Sequence, residues 1–120
     1  MSTPPWVNFW SNPTPAIDST PTLIFLSANT CIIKAIGVCN TSNVDIFVTV
    51  TALQERTIND TPTPITTHRF RNVPLKLYQT FDLIEGNQQI LQAGDSLFAN
   101  SDFSGNTFDC WVDYEELLEE

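Results

Sequence analysis

The tetrapeptide Gly94-Asp95-Ser96-Leu97 sets a serine hydroxyl beside a carboxylate, a pairing from which nucleophilic attack on an ester can be built. Such a serine works at neutral pH only when a base takes its proton and fixed donors hold the resulting oxyanion. The one histidine, His68, lies upstream of the motif, and none follows Leu97. No amphipathic helix flanks the motif to supply the strand-turn-helix setting that a nucleophile elbow requires. The local pattern is that of a turn between two apolar runs, "QQILQ" and "SLFANS". Gly94 there can adopt positive φ, and the Asp95 side chain can bond nearby backbone. No catalytic residue is expected.

Three other groupings could carry chemistry. Asp102, Asp109 and Asp113 are scattered and lack the glycine-centred loop that gives calcium its oxygen cage, so no metal is expected. Cys31, Cys39 and Cys110 are odd in number and lack metal-binding spacing. Cys31 and Cys39 fall in one strand-like segment, on the same face but roughly 26 Å apart, beyond disulfide reach. Cys110 could meet one of them across a sheet, but buried thiols of a protein made in a reducing cytosol are the simpler expectation. His68, Arg69 and Arg71, in "THRFR", form the one local concentration of positive charge. A solvated strand face is its default reading, with an acidic partner as the alternative. No cofactor is implied.

The elements that must position these groups follow from composition and period. Of 120 residues, 42% are hydrophobic and 16% charged. A chain of this length buries about two-thirds of its unfolded surface, enough for one core. The wealth of Thr, Val, Ile and Phe favours strands. Five basic residues against 14 acidic ones give a net charge of −9, which repels a phosphate backbone and argues against nucleic acid as a partner. There is no signal peptide and no apolar run near 18 residues, so neither secretion nor a membrane span is expected.

Residues 1–21 hold five of the eight prolines, which deny donors to a central strand or a helix interior. They predict an extended N-terminal arm. That arm also carries Trp6, Phe9 and Trp10, rings that gain too much from burial to be left in a disordered linker. Two outcomes are open: the arm folds back along its own domain, or it clasps a neighbouring subunit with these aromatics as anchors.

From residue 22 onward short strands alternate with turns. "TLIFL", "CIIKAIGVCN", "VDIFVTVTAL", "ITTHRFRNVPL", "KLYQTFDLIEG", "QQIL", "DSLFANS" and "TFDCWVDYEEL" read as strands, and "QERTINDTPTP" as a polar, exposed loop. In the last strand Phe108, Cys110, Val112 and Tyr114 point inward. Trp111 lies on the opposite, acidic face, either covered by a loop or exposed as a contact surface. Glu115, Glu116, Glu119 and Glu120 read as a solvated tail. Seven or eight such strands without a helix predict an all-β domain over 22–120, an antiparallel β-sandwich of jelly-roll or Ig-like topology.

Taken together, "GVCNTSN", "DIFVTVTAL", "ILQAGDSLFANSD" and the closing "VDYEEL" resemble a group of small structural proteins of tailed bacteriophages over residues 22–117. The resemblance implies a virion component, assembled in the host cytoplasm: a capsid decoration or cement protein, or a neck, tail or baseplate accessory. Its implied partners are other virion proteins (major capsid, portal, neck or tail) and further copies of the chain. The tetrapeptide also resembles the motif of GDSL hydrolases. Those are much longer α/β enzymes with a downstream Asp-x-x-His pair that this chain lacks. The expectation is thus a non-enzymatic structural subunit that attaches through Trp6, Phe9, Trp10 and Trp111. The alternative is a glycan- or receptor-binding module on a tail or fibre, using Trp111 or Tyr78 as a stacking platform.

Overall fold

A computed structural model describes residues 6–84, 88–105 and 107–117, with side chains from residue 13 onward. The described residues are all-β and contain no helix. The strands are β1 (Trp6–Ile17), β2 (Thr22–Leu26), β3 (Cys31–Asn40), β4 (Ile46–Ile58), β5 (Thr61–Leu75), β6 (Thr80–Asp82), β7 (Gln89–Leu91), β8 (Ser96–Ser101) and β9 (Phe108–Leu117).

They form two antiparallel sheets packed face to face. One has the order β1-β9-β3-β6, with β7 also paired to β3, and the other has the order β2-β8-β4-β5. If β6 and β7 are taken as one interrupted strand, the pairs β1·β9, β2·β8, β3·β6/β7 and β4·β5 are nested. The first strand pairs with the last and each successive pair lies inside the one before, as if one long hairpin had been rolled up.

The core lies between the inner faces. Ile33, Ile36, Val38, Phe108, Cys110 and Val112 from one sheet meet Val48, Val50, Ala52, Leu97 and Ala99 from the other, all 2% exposed or less. The inward set expected on β9 is observed, with Tyr114 packed against the core and edge-on to Phe25 at a 4.6 Å centroid separation. Asn40, 1% exposed, holds the turn that follows β3: its amide donates to the carbonyls of Val44 (2.8 Å) and Leu75 (3.1 Å), and its oxygen accepts from the Ser42 N–H (2.9 Å).

β2 and β3 have the bounds read from sequence, but three other readings need correction. First, Cys31 and Cys39 do not share a face. A register shift between Ile33 and Ala35 moves the inward set from odd positions (Cys31, Ile33) to even ones (Ile36, Val38, Asn40), because one extra residue reverses the alternation. Cys39 therefore turns outward, and all three cysteines are free.

Second, "QERTINDTPTP" is no loose loop. β4 runs to Ile58 and β5 begins at Thr61, joined by Asn59 and Asp60 with φ of 51° and 64°, the left-handed pair that suits strand twist in a two-residue hairpin. Pro62, Pro64 and Pro74 are tolerated because β5 is an edge strand, where a missing N–H breaks no ladder. Pairing with β8 stops at Leu53, so residues 54–65 extend beyond the sheet as a two-stranded ribbon. The radius of gyration, 15.3 Å, exceeds the roughly 13.6 Å of a compact chain of this length.

Third, the strand expected over "KLYQTFDLIEG" shrinks to β6. Lys76–Gln79 form a turn closed by a 3.0 Å bond from the Gln79 N–H to the Lys76 carbonyl, with Tyr78 at φ 59°.

The proline-rich N-terminal segment is extended and runs as β1 along β9, pairing Trp6 with Leu117 and Ile17 with Phe108. Pro13 and Pro15 sit on this second edge strand. Ile17 is 1% exposed, and its carbonyl accepts from both the N–H (3.0 Å) and the hydroxyl (2.8 Å) of Thr107.

Candidate functional site

The Gly94–Leu97 motif spans the end of the turn between β7 and β8 and the first two residues of β8. The Asp95 N–H donates to the Gln92 carbonyl at 3.0 Å, and Gly94 takes φ 89°, as the third residue of a type II turn must. The neighbouring loop locks onto it: the Gly94 N–H donates to the Ser27 carbonyl (2.7 Å), and the Ser27 N–H donates to the Asp95 carbonyl (2.8 Å).

Asp95 is 1% exposed, yet it is the hub of a polar cluster. Arg56 donates to it with both terminal nitrogens, at 2.9 and 3.0 Å, and the Gln54 amide adds a bond at 3.1 Å. The Gln92 backbone N–H donates to the same carboxylate at 2.9 Å. Burial alone would raise the pKa of this carboxyl. The Arg56, Gln92 and Gln54 donors outweigh it and hold the group below the ordinary carboxylate range. Arg56 is correspondingly raised, mainly by its bond to Asp95.

Arg69 extends the cluster, donating to the side-chain oxygens of Gln54 (3.0 Å) and Gln89 (3.1 Å), while its Nε is buried without a hydrogen-bond partner. Gln54 and Arg56 continue the inward alternation of β4 past the last core residue, Ala52. The cluster thus caps the end of the core and fastens the base of the β4–β5 ribbon to the β7–β8 turn.

Ser96 is 7% exposed. In the register, Ser96 lies opposite Leu53 and Thr66, while His68 lies opposite Thr51 and Phe98. Two strand spacings and one two-residue step separate serine from imidazole, roughly 12 Å. The imidazole Nδ1 instead faces the Thr51 hydroxyl at 3.1 Å. Ser96→Ala is expected to leave the background hydrolysis of p-nitrophenyl acetate unchanged. A rate that fell with the substitution would restore the serine as a nucleophile.

Of the basic cluster in "THRFR", only His68 and Arg71 stay on the outer face of their sheet, since Arg69 is drawn to Gln54 and Gln89. Asp102 and Asp109 cap backbone, accepting from the N–H groups of Phe47 (2.8 Å) and Ala16 (2.9 Å). Among the described residues no three His, Cys, Asp or Glu side chains converge as metal ligands would. Burial pushes the Cys110 thiol up to about 12 and also raises Cys31, which removes the thiolate that reactivity needs. Glu115 and Glu116 are not a free tail. They belong to β9, paired with Lys34 at 3.3 Å and bonded to Asn29 at 3.1 Å. Glu119 and Glu120 lie outside the described residues.

Of the residues expected to grip a partner, Trp6, Phe9 and Trp10 are placed by backbone on β1, opposite Leu117, Tyr114 and the stretch between Tyr114 and Val112. Their side chains lie outside the described ones. Trp111 is half-buried, flanked by Pro13 on one strand and Gly37 on the other. Its indole occupies the space that a Gly37 side chain would take, so the ring lies over the glycine of its own sheet. Tyr78, 71% exposed, lies on a turn next to the exposed Leu77.

Sequence reasoning missed the Asp95–Arg56–Gln54–Arg69–Gln89 cluster. Its one local signal was an arginine amid threonines and prolines in a segment that read as a loop. No family model matches the chain, and no curated protein matches it.

Proposed function

We propose that this chain is a non-enzymatic structural subunit of a bacteriophage virion, a capsid decoration or cement protein or a neck or tail accessory. Its fold is read as a jelly-roll β-sandwich, since nested first-to-last pairing across two sheets is how that architecture rolls up. The observation that carries the reading is that the aromatic-rich segment Trp6–Trp10 forms the outermost strand of its sheet. An edge strand is the place where a second molecule can reach both backbone and side chains. Many copies in a symmetric lattice then need only modest individual affinity.

The test uses virions assembled with the triple variant Trp6→Ala/Phe9→Ala/Trp10→Ala in place of the natural chain. Point variants are preferable to removal of residues 1–21, which would also take away the core residue Ile17. Copy number per particle, measured by quantitative mass spectrometry, is expected to fall at least about tenfold, given the energies of aromatic anchors. Full occupancy would rule out the aromatics as the attachment, and absence of the natural chain from purified particles would overturn the assignment altogether.

A further inference from the structure

The outer face of the β2-β8-β4-β5 sheet carries a shallow groove of about 500 Å³ whose lining includes Thr51, Thr66, His68, Arg71, Phe98 and Asn100. We propose that this groove binds an acidic sugar, a pyranose bearing a carboxylate such as a uronic acid. The inference does not depend on the chain being a virion subunit.

Charge is the first argument. The chain has 14 acidic residues, and none lines this groove. Of its five basic residues, three are engaged elsewhere: Lys34 with Glu115, Arg56 with Asp95, and Arg69 with Gln54 and Gln89. Arg71 is in the groove, exposed and without an ion pair among the described residues. A permanently charged, forked donor in an acid-free lining selects a carboxylate, which it can hold with two parallel bonds.

The remaining lining argues for a sugar ring rather than a simple anion. Phe98 is half-buried on the groove side, and Leu53 and Pro21 extend its apolar floor. An aromatic face offers stacking to the C–H face of a pyranose. Hydroxyl groups need partners that both donate and accept, and Thr51 and Thr66 supply hydroxyls of that kind, while Asn100 supplies an amide. The Thr51 hydroxyl and His68 Nδ1 share one hydrogen bond at 3.1 Å, which orients the imidazole and leaves further capacity on the hydroxyl, and the imidazole Nε2, for the ligand. Thr51 and Phe98 are direct cross-strand neighbours, and so are Thr51 and His68, so these three are held in place before any ligand arrives, while Arg71 lies between Phe70 and Val73, where β5 shifts register against β4.

The test is a chemical-shift titration of the 15N-labelled full chain with methyl glucuronoside, methyl glucoside and triglutamate. Methyl glucuronoside is expected to shift Thr51, His68, Phe98 and Asn100 with a dissociation constant of about a millimolar. Methyl glucoside, the same ring without the carboxylate, is expected to bind at least about tenfold more weakly. Arg71→Gln and Phe98→Leu are each expected to lower affinity for the acidic sugar at least about fivefold, with unchanged amide spectra elsewhere as the control for folding. No shift at about twenty times the expected constant would overturn the proposal, as would equal affinity for the neutral sugar. Triglutamate binding as tightly at the same residues would replace the sugar with an acidic peptide.

Discussion

Asp95→Ala is expected to lower the free energy of unfolding by about 3 kcal/mol, at the lower end of what breaking a buried ion pair costs, read as a reduced urea midpoint with unchanged slope. The substitution removes a carboxylate that is 1% exposed and strands several donors at once. The Gln92 N–H and the Gln54 amide lose their acceptor, and Arg56 loses both of its bonds to the carboxylate, keeping only the one to the Glu55 carbonyl. Because the Arg56 side chain is 32% exposed, water recovers part of that loss, which is why the upper end is not expected.

The same group makes stability depend on acid. Its carboxyl is held below the ordinary range in the folded chain, so the folded state binds this proton more weakly than the unfolded state. The resulting stabilisation is complete above the unfolded carboxylate value, near pH 4. It is lost as pH falls through the lower folded value. Asp95→Asn is expected to flatten that part of the acid limb in urea midpoints measured across pH 2–6. An acid limb identical to the natural chain's would show that the guanidinium and amide donors do not govern the carboxylate.

Gly37→Val is expected to cost about 2–3 kcal/mol, the scale of forcing a side chain into occupied space. Valine is the better strand former, and in an open position it would stabilise the sheet. Here the position is filled by the Trp111 indole from the adjacent strand, an aromatic ring covering a glycine that could otherwise only weaken the ladder. A side chain at residue 37 must push the ring into water, so tryptophan emission is expected to shift to the red. In a Trp111→Ala background the same substitution is expected to be neutral or stabilising, a coupling of at least about 2 kcal/mol. Additive effects in that cycle would mean that the indole does not rest on the glycine.

That cycle bears on how Trp111 was read. Alternation placed it on the outer face of β9, which the structure repeats. Only the register, with Gly37 as its neighbour, supplies the reason it can lie flat and half-buried there. The aromatics of β1 stand differently. Their position on an extended N-terminal segment was legible from proline content, since proline excludes helix interiors and central strands, and the structure sets that segment on an edge.

The polar cluster was not legible. Asp95 and Arg56 are 39 residues apart, and nothing local marks them as partners. The turn at Gly94 was legible because its demand for positive φ is met within four residues. That the turn's aspartate would also be buried and bidentately held depended on β4 running past the sheet edge, and sequence read that stretch as a loop.

By itself, then, the amino-acid sequence determined what depends on neighbours within a few residues: an all-β chain, the bounds of β2 and β3, the inward set of β9 and the turn at Ala93–Asp95. Period-two alternation and turn chemistry act locally, so they are written locally. Tertiary structure alone decided the nested pairing of the two sheets, the bulge that turns Cys39 away from Cys31, the anchoring of the ribbon by Asp95, and the gathering of Thr51, His68, Arg71 and Phe98 on one face. Those outcomes are set by contacts between strands far apart in the chain. A one-residue shift in any strand reverses every face beyond it, and only the packed core selects among the registers that the local pattern allows.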